Sequence, residues 1–223
     1  MCKKQKFGIL AYPAGHSLSP AMHNVAFAEL GINAQYEFFE TSPEELKNFI
    51  QQVRETKIAG LSVSIPHKEK IIPLLDKITK AAKTIGAVNT IFWQDDQLMG
   101  DNTDWLGFLH ALEEKIDARK KNVVLLGGGG AARAIAYALL TRDCEVSIIT
   151  REVWELEGLK KDFGSQIRNY DFIQNLDKYN PDILVNSTPL GMKGKFEKMS
   201  FVDAKWFKNH KPLVFDIVYN PRE

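Results

Sequence analysis

Residues Asn122 to Leu140 read NVVLLGGGGAARAIAYALL, and this stretch decides the fold. Val123 to Leu126 is a short apolar run with β-branched residues, the pattern of a parallel strand buried on both faces. Four glycines, Gly127 to Gly130, interrupt it. AARAIAYALL follows, and its Ala and Leu content favours a helix. Strand, glycine turn and helix form the setting in which a dinucleotide fingerprint carries meaning. Gly127 would make the tight turn, and Gly129 would let the backbone approach a pyrophosphate. Ala132 would hold the third small position, where helix and strand pack closely. The helix would aim its N-terminal N–H groups at the phosphates. A glycine-rich turn that binds nothing is the competing reading.

The same alternation of strand and helix extends outward in both directions. Towards the C-terminus, Glu145 to Thr150 reads as the second strand of a Rossmann unit. Val153 to Phe163 reads as a helix ending at Gly164, and Ile183 to Asn186 and Leu213 to Ile217 as further strands. Towards the N-terminus, Lys6 to Tyr12 reads as a strand running into the turn-rich PAGHSLSP. Ser19 would cap a helix with Pro20 at its first position and a stop at Gly31. Ala34 to Glu40 alternates as a strand. Ser42-Pro43-Glu44-Glu45 reads as a capping box that opens a helix to about Glu55. Gly60 to Ile65 reads as a strand ended by Pro66, with a short helical segment from His67 carrying Lys68. Thr79 to Ile85 reads as a helix ending at Gly86. Val88 to Trp93 and Gln97 to Gly100 form a hairpin around Asp95-Asp96. Asp101 to Asp104 breaks the pattern, and an amphipathic helix from Trp105 to Ile116 follows. The boundary between two α/β domains therefore falls near Asp104, with ligands expected at the carboxyl ends of strands.

Composition narrows the function classes. The 223 residues are 44% hydrophobic and 26% charged, and their formal net charge is +1. No strong field favours nucleic acid or an acidic surface. No apolar run reaches the length of a membrane span. MCKKQKFGIL lacks the long apolar region of a signal peptide. The two cysteines, Cys2 and Cys144, suggest neither a disulfide framework nor a metal site, which fits a reducing cytoplasm. His16, His23 and His67 are scattered without a metal-ligand pattern, so no metal is expected. A solvated ring is the expectation for His67, beside Lys68.

Seven pieces, GHSLSP, SIPHKE, GAVNT, GDNTD, GGGGAAR, NSTPLGM and DIVYNP, occur in the order found in shikimate dehydrogenases. From one end to the other the chain resembles that family. The resemblance implies an α/β fold with an N-terminal substrate domain over residues 1–103 and a C-terminal Rossmann-type NADP-binding domain over residues 104–223. It implies a cleft between them. It implies reversible, NADPH-linked reduction of 3-dehydroshikimate to shikimate. The expected partner is that small-molecule substrate, with no nucleic acid and no membrane, and the expected assembly is a homodimer. Family members continue past Glu223 with helices that cover the first domain and complete the substrate pocket. The resemblance therefore also implies weak shikimate binding and self-association for the chain as given. An NAD-accepting quinate/shikimate dehydrogenase and a binding-only homologue are the alternatives, and intact Lys68 and Asp104 argue against the latter.

Lys68 follows a strand-ending Ile-Pro, and Asp104 sits at a strand-to-helix junction. A paired lysine and carboxylate suits proton transfer to a carbonyl oxygen as hydride reaches its carbon. The resemblance makes Lys68 and Asp104 the catalytic pair. It assigns Ser17 and Ser19 to the substrate carboxylate, with Tyr219 assisting. Asn89 and Asp104 are assigned to ring hydroxyls, and Ser64 keeps the hydroxyl of the threonine usual there. The cofactor assignments are Gly127, Gly128, Gly129, Gly130, Ala131, Ala132, Thr150, Arg151 and Ile217. Arg151 stands where an arginine receives a 2′-phosphate, but Glu152 is beside it. NADP should be preferred less sharply than is usual in the family.

Overall fold

The computed structural model describes residues 4–15, 17–200 and 202–219. Cys2, His16 and the last residues of DIVYNP lie outside them. Two compact units divide between Thr103 and Asp104.

The first unit is a six-stranded sheet in the order β2-β1-β3-β5-β6-β4. Its elements are β1 (Gln5–Ala11), α1 (Ser19–Glu29), β2 (Ala34–Glu40), α2 (Leu46–Thr56), β3 (Gly60–Val63), β4 (Lys77–Ile78), α3 (Lys80–Ile85), β5 (Thr90–Gln94) and β6 (Gln97–Asp101). β1 pairs in parallel with β2 and β3, whereas β5 runs antiparallel to β3 and β6. Leu10, Leu61, Val63 and Ile91 from the sheet pack with Leu46, Ile50 and Val53 from α2. The turn at Asp95-Asp96 has φ of 48° and 60°, the two left-handed residues that match hairpin twist. α3 is capped by Thr79, whose hydroxyl accepts from the Ala82 N–H, and ends at Gly86 with φ 72°. Leu18, Met22, Val25 and Leu30, on or flanking α1, are exposed.

The second unit holds α4 (Asp104–Glu113), β7 (Asn122–Leu126), α5 (Gly130–Leu140), β8 (Glu145–Thr150), α6 (Val153–Phe163), β9 (Asn169–Phe172), β10 (Ile183–Asn186), α7 (Trp206–Asn209) and β11 (Leu213–Asp216). All its strands are parallel, in the order β11-β10-β7-β8-β9. Read from the other edge, this is the Rossmann order 3-2-1-4-5, with its switch point between β7 and β10. β7 is apolar on both faces because both are covered. Val123 and Leu125 pack with α4 and α5, whereas Val124 and Leu126 pack with Leu176 and Trp206.

Several local expectations are corrected. Ser19 is not the cap of α1: Leu18 holds that position without a side-chain bond. The cap-like bond comes from Ser17, whose hydroxyl accepts from the Ser19 N–H at 3.2 Å. The Ser42–Glu45 box forms, with the Glu45 carboxylate accepting from the Ser42 N–H at 3.3 Å, but it closes a turn ahead of α2. Proline at position 43 starts that turn without extending the helix. The segment from Ile65 to Ile71 is a run of turns in place of the short helix expected from His67. α4 stops at Glu113, short of Ile116, and β11 stops at Asp216.

His67 is the clearest reversal. It is fully buried, with Nε2 2.8 Å from the Thr41 carbonyl oxygen. Burial pushes its pKa below 6.5; the Thr41 carbonyl opposes this, and the Lys70 charge adds to it. Below pH 6.5 the unfolded chain takes up a proton that the folded chain refuses. The stability is therefore complete above that pH and lost as pH falls towards the depressed value. Thermal melts at about pH 7.5 and about pH 5.5 should show a larger fall in Tm for the wild type than for His67→Gln, roughly 2–4 °C per kcal/mol. Equal falls would show that His67 does not govern the acid limb.

Candidate active site

The first unit gathers its candidate residues at the carboxyl ends of β1 and β3. The Ser64 N–H donates to the Leu10 carbonyl at 2.9 Å, and the Tyr12 N–H donates to Ile65 at 3.0 Å. The strand pairing thus continues past β3 and fixes Ser64. The chain then turns, and the Lys68 carbonyl accepts from the Val88 N–H at 2.7 Å. The Val63 N–H donates to the Asn89 carbonyl at 2.7 Å, and the Asn89 N–H donates to Asp101 at 2.9 Å. Because β5 runs antiparallel to β3, its start lies at the end of β3. That topology brings Ser64, Lys68 and Asn89 to one edge from three separate segments.

Side chains tighten the same edge. The Asn89 carboxamide accepts from the Thr103 N–H at 2.9 Å and donates to the Thr103 hydroxyl at 3.1 Å. Buried Asn102 donates to the Ala87 carbonyl at 3.0 Å. GAVNT and GDNTD are therefore two halves of one hydrogen-bonded corner. The loop after β1 is held by the Glu40 carboxylate, which accepts from the Ala14 N–H at 2.9 Å. The Ser17 and Ser19 hydroxyls meet at 3.0 Å. Lys68, Asn89, Ser17, Ser19 and Ser64 are all half-buried, accessible without being loose. Asp104 opens α4, directly after Thr103.

In the second unit the glycine loop divides its tasks by position. Gly127 has φ 108°, and a Cβ there would lie 2.9 Å from the Ser187 hydroxyl oxygen and 3.1 Å from Thr188. It is a turn residue packed against NSTPLGM. The Ser187 hydroxyl donates to the Leu126 carbonyl at 2.6 Å, fastening that loop to β7. Gly129 is exposed at the N-terminal cap of α5, and a Cβ there would meet nothing within 4 Å. Gly130 and Ala131 form the first turn of α5 and are half-buried. Ala132 is buried with Val123 and Leu125. An open backbone face at a helix N-terminus fits a pyrophosphate. Arg133 of the same motif is committed elsewhere, 2.5 Å from Asp162, tying α5 to α6.

Thr150, at the end of β8, is buried, and Arg151 and Glu152 after it are exposed. The Asn186 carboxamide donates to the Asp216 carboxylate at 3.0 Å, joining the ends of β10 and β11. The Ile217 N–H donates to the Asn186 carbonyl at 3.2 Å, and Tyr219 beyond it is exposed. Thr150, Arg151, Ile217 and the glycine loop thus share the carboxyl edge of the second sheet.

Sequence reasoning missed Ser187 and Glu155. A Cβ on Gly128 would lie 2.5 Å from the Glu155 Cβ and 3.0 Å from Oε2, and the Thr150 hydroxyl donates to the same oxygen. The sequence offers one signal: an acid in the first turn of the helix after β8.

Comparison with known proteins places this arrangement. Residues 9–91 match the family model described as the shikimate dehydrogenase substrate binding domain. A relative in Oleidesulfovibrio alaskensis, named shikimate dehydrogenase (NADP(+)), is 41% identical over 222 residues, covering 99% of this chain and 78% of that one. The chain belongs to the shikimate dehydrogenase family. The fold agrees throughout. A crystal structure of a shikimate dehydrogenase in complex with NADP+ superposes with a TM-score of 0.88 at 37% identity, covering 99% of this chain and 78% of that one. One from Listeria monocytogenes, in complex with shikimate and NAD, gives 0.86 at 35% identity, covering 99% and 80%. Like them, this family member joins an N-terminal α/β unit to a C-terminal Rossmann-type unit.

Proposed function

We propose that this chain is an NADP-linked oxidoreductase that reversibly reduces 3-dehydroshikimate to shikimate, a step towards aromatic amino acids. The observation that carries the reading is the corner at the carboxyl end of β3. There Lys68 and Asn89, far apart in sequence, are joined through the Val88 N–H. An ammonium group, a carboxamide and a serine hydroxyl on one edge suit a polyhydroxylated ring bearing a carbonyl.

NADPH, when bound, supplies the hydride to the carbonyl carbon. The chain's own residues have the remaining tasks. Lys68 holds a proton at the carbonyl oxygen and gives it up as the alkoxide forms, which leaves a neutral alcohol. Asp104 is assigned as its carboxylate partner and as a ring-hydroxyl acceptor. Asn89 and Ser64 hydrogen-bond ring hydroxyls. Ser17 and Ser19 hold the substrate carboxylate, supported by their 3.0 Å hydroxyl pair, and Tyr219 assists them. Gly127 to Gly130, Ala131 and Ala132 hold the pyrophosphate side of the cofactor. Thr150 and Arg151 lie at the ribose side, and Ile217 flanks the nicotinamide. In this reading residues 1–103 bind substrate and residues 104–223 bind NADP.

The same reading includes a homodimer and a cytoplasmic location. The exposed apolar residues of α1 support the first, and the free, buried thiol of Cys144 is consistent with the second. Among the described residues no helix is long and apolar enough to cross a membrane.

One four-way assay tests the activity: shikimate or quinate, each with NADP or NAD. Turnover is expected to be fastest with shikimate and NADP. Preference for quinate would move the chain to the quinate/shikimate alternative. Binding of both ligands without turnover would make it a binding protein.

A further inference from the structure

We propose that Glu155 sets the cofactor preference of this chain. Its carboxylate accepts a hydrogen bond from the adenosine ribose 2′-hydroxyl and opposes a 2′-phosphate, so that NAD serves alongside NADP. This rests on the dinucleotide reading of the glycine loop.

In a unit with this strand order the adenosine half lies across the carboxyl ends of the first two strands, and its 2′ position falls near the end of the second. Here the second strand is β8, which ends at Thr150. Thr150 is 1% exposed, and its hydroxyl donates to the Glu155 carboxylate. The same carboxylate oxygen would lie 3.0 Å from a Cβ on Gly128. One acid therefore touches both walls of the adenosine site, the end of β8 and the phosphate loop. A carboxylate accepts at about four lone-pair positions. The bond from Thr150 leaves acceptor capacity for a ribose hydroxyl, and an ionised carboxylate has no proton to donate to a phosphate.

Two other charges stand nearby in sequence, and burial ranks them. Arg151 and Glu152 are exposed, so solvent screens them strongly. The Glu152 N–H donates to the Thr150 hydroxyl oxygen at 3.2 Å, but its side chain is in water. Glu155 is half-buried and less screened. At a separation of about 5 Å and an effective dielectric constant of about 20–80, repulsion per unit charge amounts to about fourfold to three-hundredfold in affinity.

A purely structural role would also suit Glu155, because an acid in the first turn of α6 complements the helix dipole. Glu155→Gln separates the two roles. Its amide oxygen still accepts from Thr150, while the charge is gone. The measurement is the dissociation constant of NADPH and of NADH, each by titration of nicotinamide fluorescence, with thermal melts alongside. The wild type should bind the two within about tenfold of each other. In Glu155→Gln the ratio should move by about tenfold or more towards NADPH, with NADH binding weakened. Glu155→Ala, which removes the charge without adding an amide, should shift the ratio in the same direction. An unchanged ratio in variants that bind both would overturn this proposal alone. A wild type that binds neither cofactor would bring down the dinucleotide reading and this proposal with it.

Discussion

Replacing Lys68 with alanine is expected to lower kcat by about 10²–10⁴-fold while leaving the dissociation constant for NADP within about twofold of wild type. The asymmetry follows from where the residue sits. Lys68 belongs to the first unit, at the turn after β3, whereas the glycine loop belongs to the second. Its backbone is fixed through the carbonyl that accepts from Val88, and alanine keeps that bond. The substitution therefore keeps the backbone of the turn, and thermal melts of the variant separate loss of the ammonium group from loss of the fold. Presteady-state hydride transfer, followed by NADPH absorbance, separates the chemical step from product release. A fall in kcat of less than tenfold would end the assignment of Lys68 as the proton donor.

The ease of locating Lys68 in the sequence has a physical basis. SIPHKE carries Pro66 just after a strand of alternating apolar residues, so the neighbourhood of a strand end is legible without tertiary information, although β3 stops at Val63, two residues before the expected Ile65. The hairpin was visible for a similar reason, because Asp95-Asp96 tolerate the positive φ that its turn demands. β8 and α6 were read to the residue, since an apolar run and a Gly164 stop are local signals. β9 is not legible in the same way, because Asn169–Phe172 is a half-buried edge strand of four residues, too short for its alternation to stand out from a loop.

Two residues escape a sequence reading for different reasons. His67 stands next to Lys68, Glu69 and Lys70, and local polarity suggested water around it. The sheet instead turns its ring under Thr41, a residue far away in sequence. Glu155 was invisible for the opposite reason. It reads as an ordinary helix-start acid, and only the fold carries its carboxylate to Thr150 and Gly128. Sequence neighbours exaggerate each other's influence, whereas contacts made by the end of a strand and the side of a helix leave no local trace.

Gly127 and Gly129 make the same point as a paired experiment with opposite outcomes. Gly127→Ala places a side chain at φ 108°, where non-glycine residues are strained, and sets its Cβ 2.9 Å from the Ser187 hydroxyl oxygen. A loss of about 1–3 kcal/mol in stability is expected, read as a Tm lowered by roughly 2–4 °C per kcal/mol. Gly129→Asp should do the reverse to stability. Its φ of −78° suits any residue, its Cβ enters open space, and it occupies the cap of α5, which has no side-chain bond now. An aspartate there caps the helix and gains a few tenths of a kcal/mol over glycine. The same carboxylate takes the N–H groups that a pyrophosphate needs and repels the phosphates. At about 4 Å this costs about 1–4 kcal/mol per unit charge, so NADP affinity should fall by about fivefold to a thousandfold. Melting curves and NADPH titrations on both variants read the two effects separately. A Gly129→Asp protein that binds NADPH as tightly as the wild type would mean that the open face of the loop is not where the pyrophosphate lies.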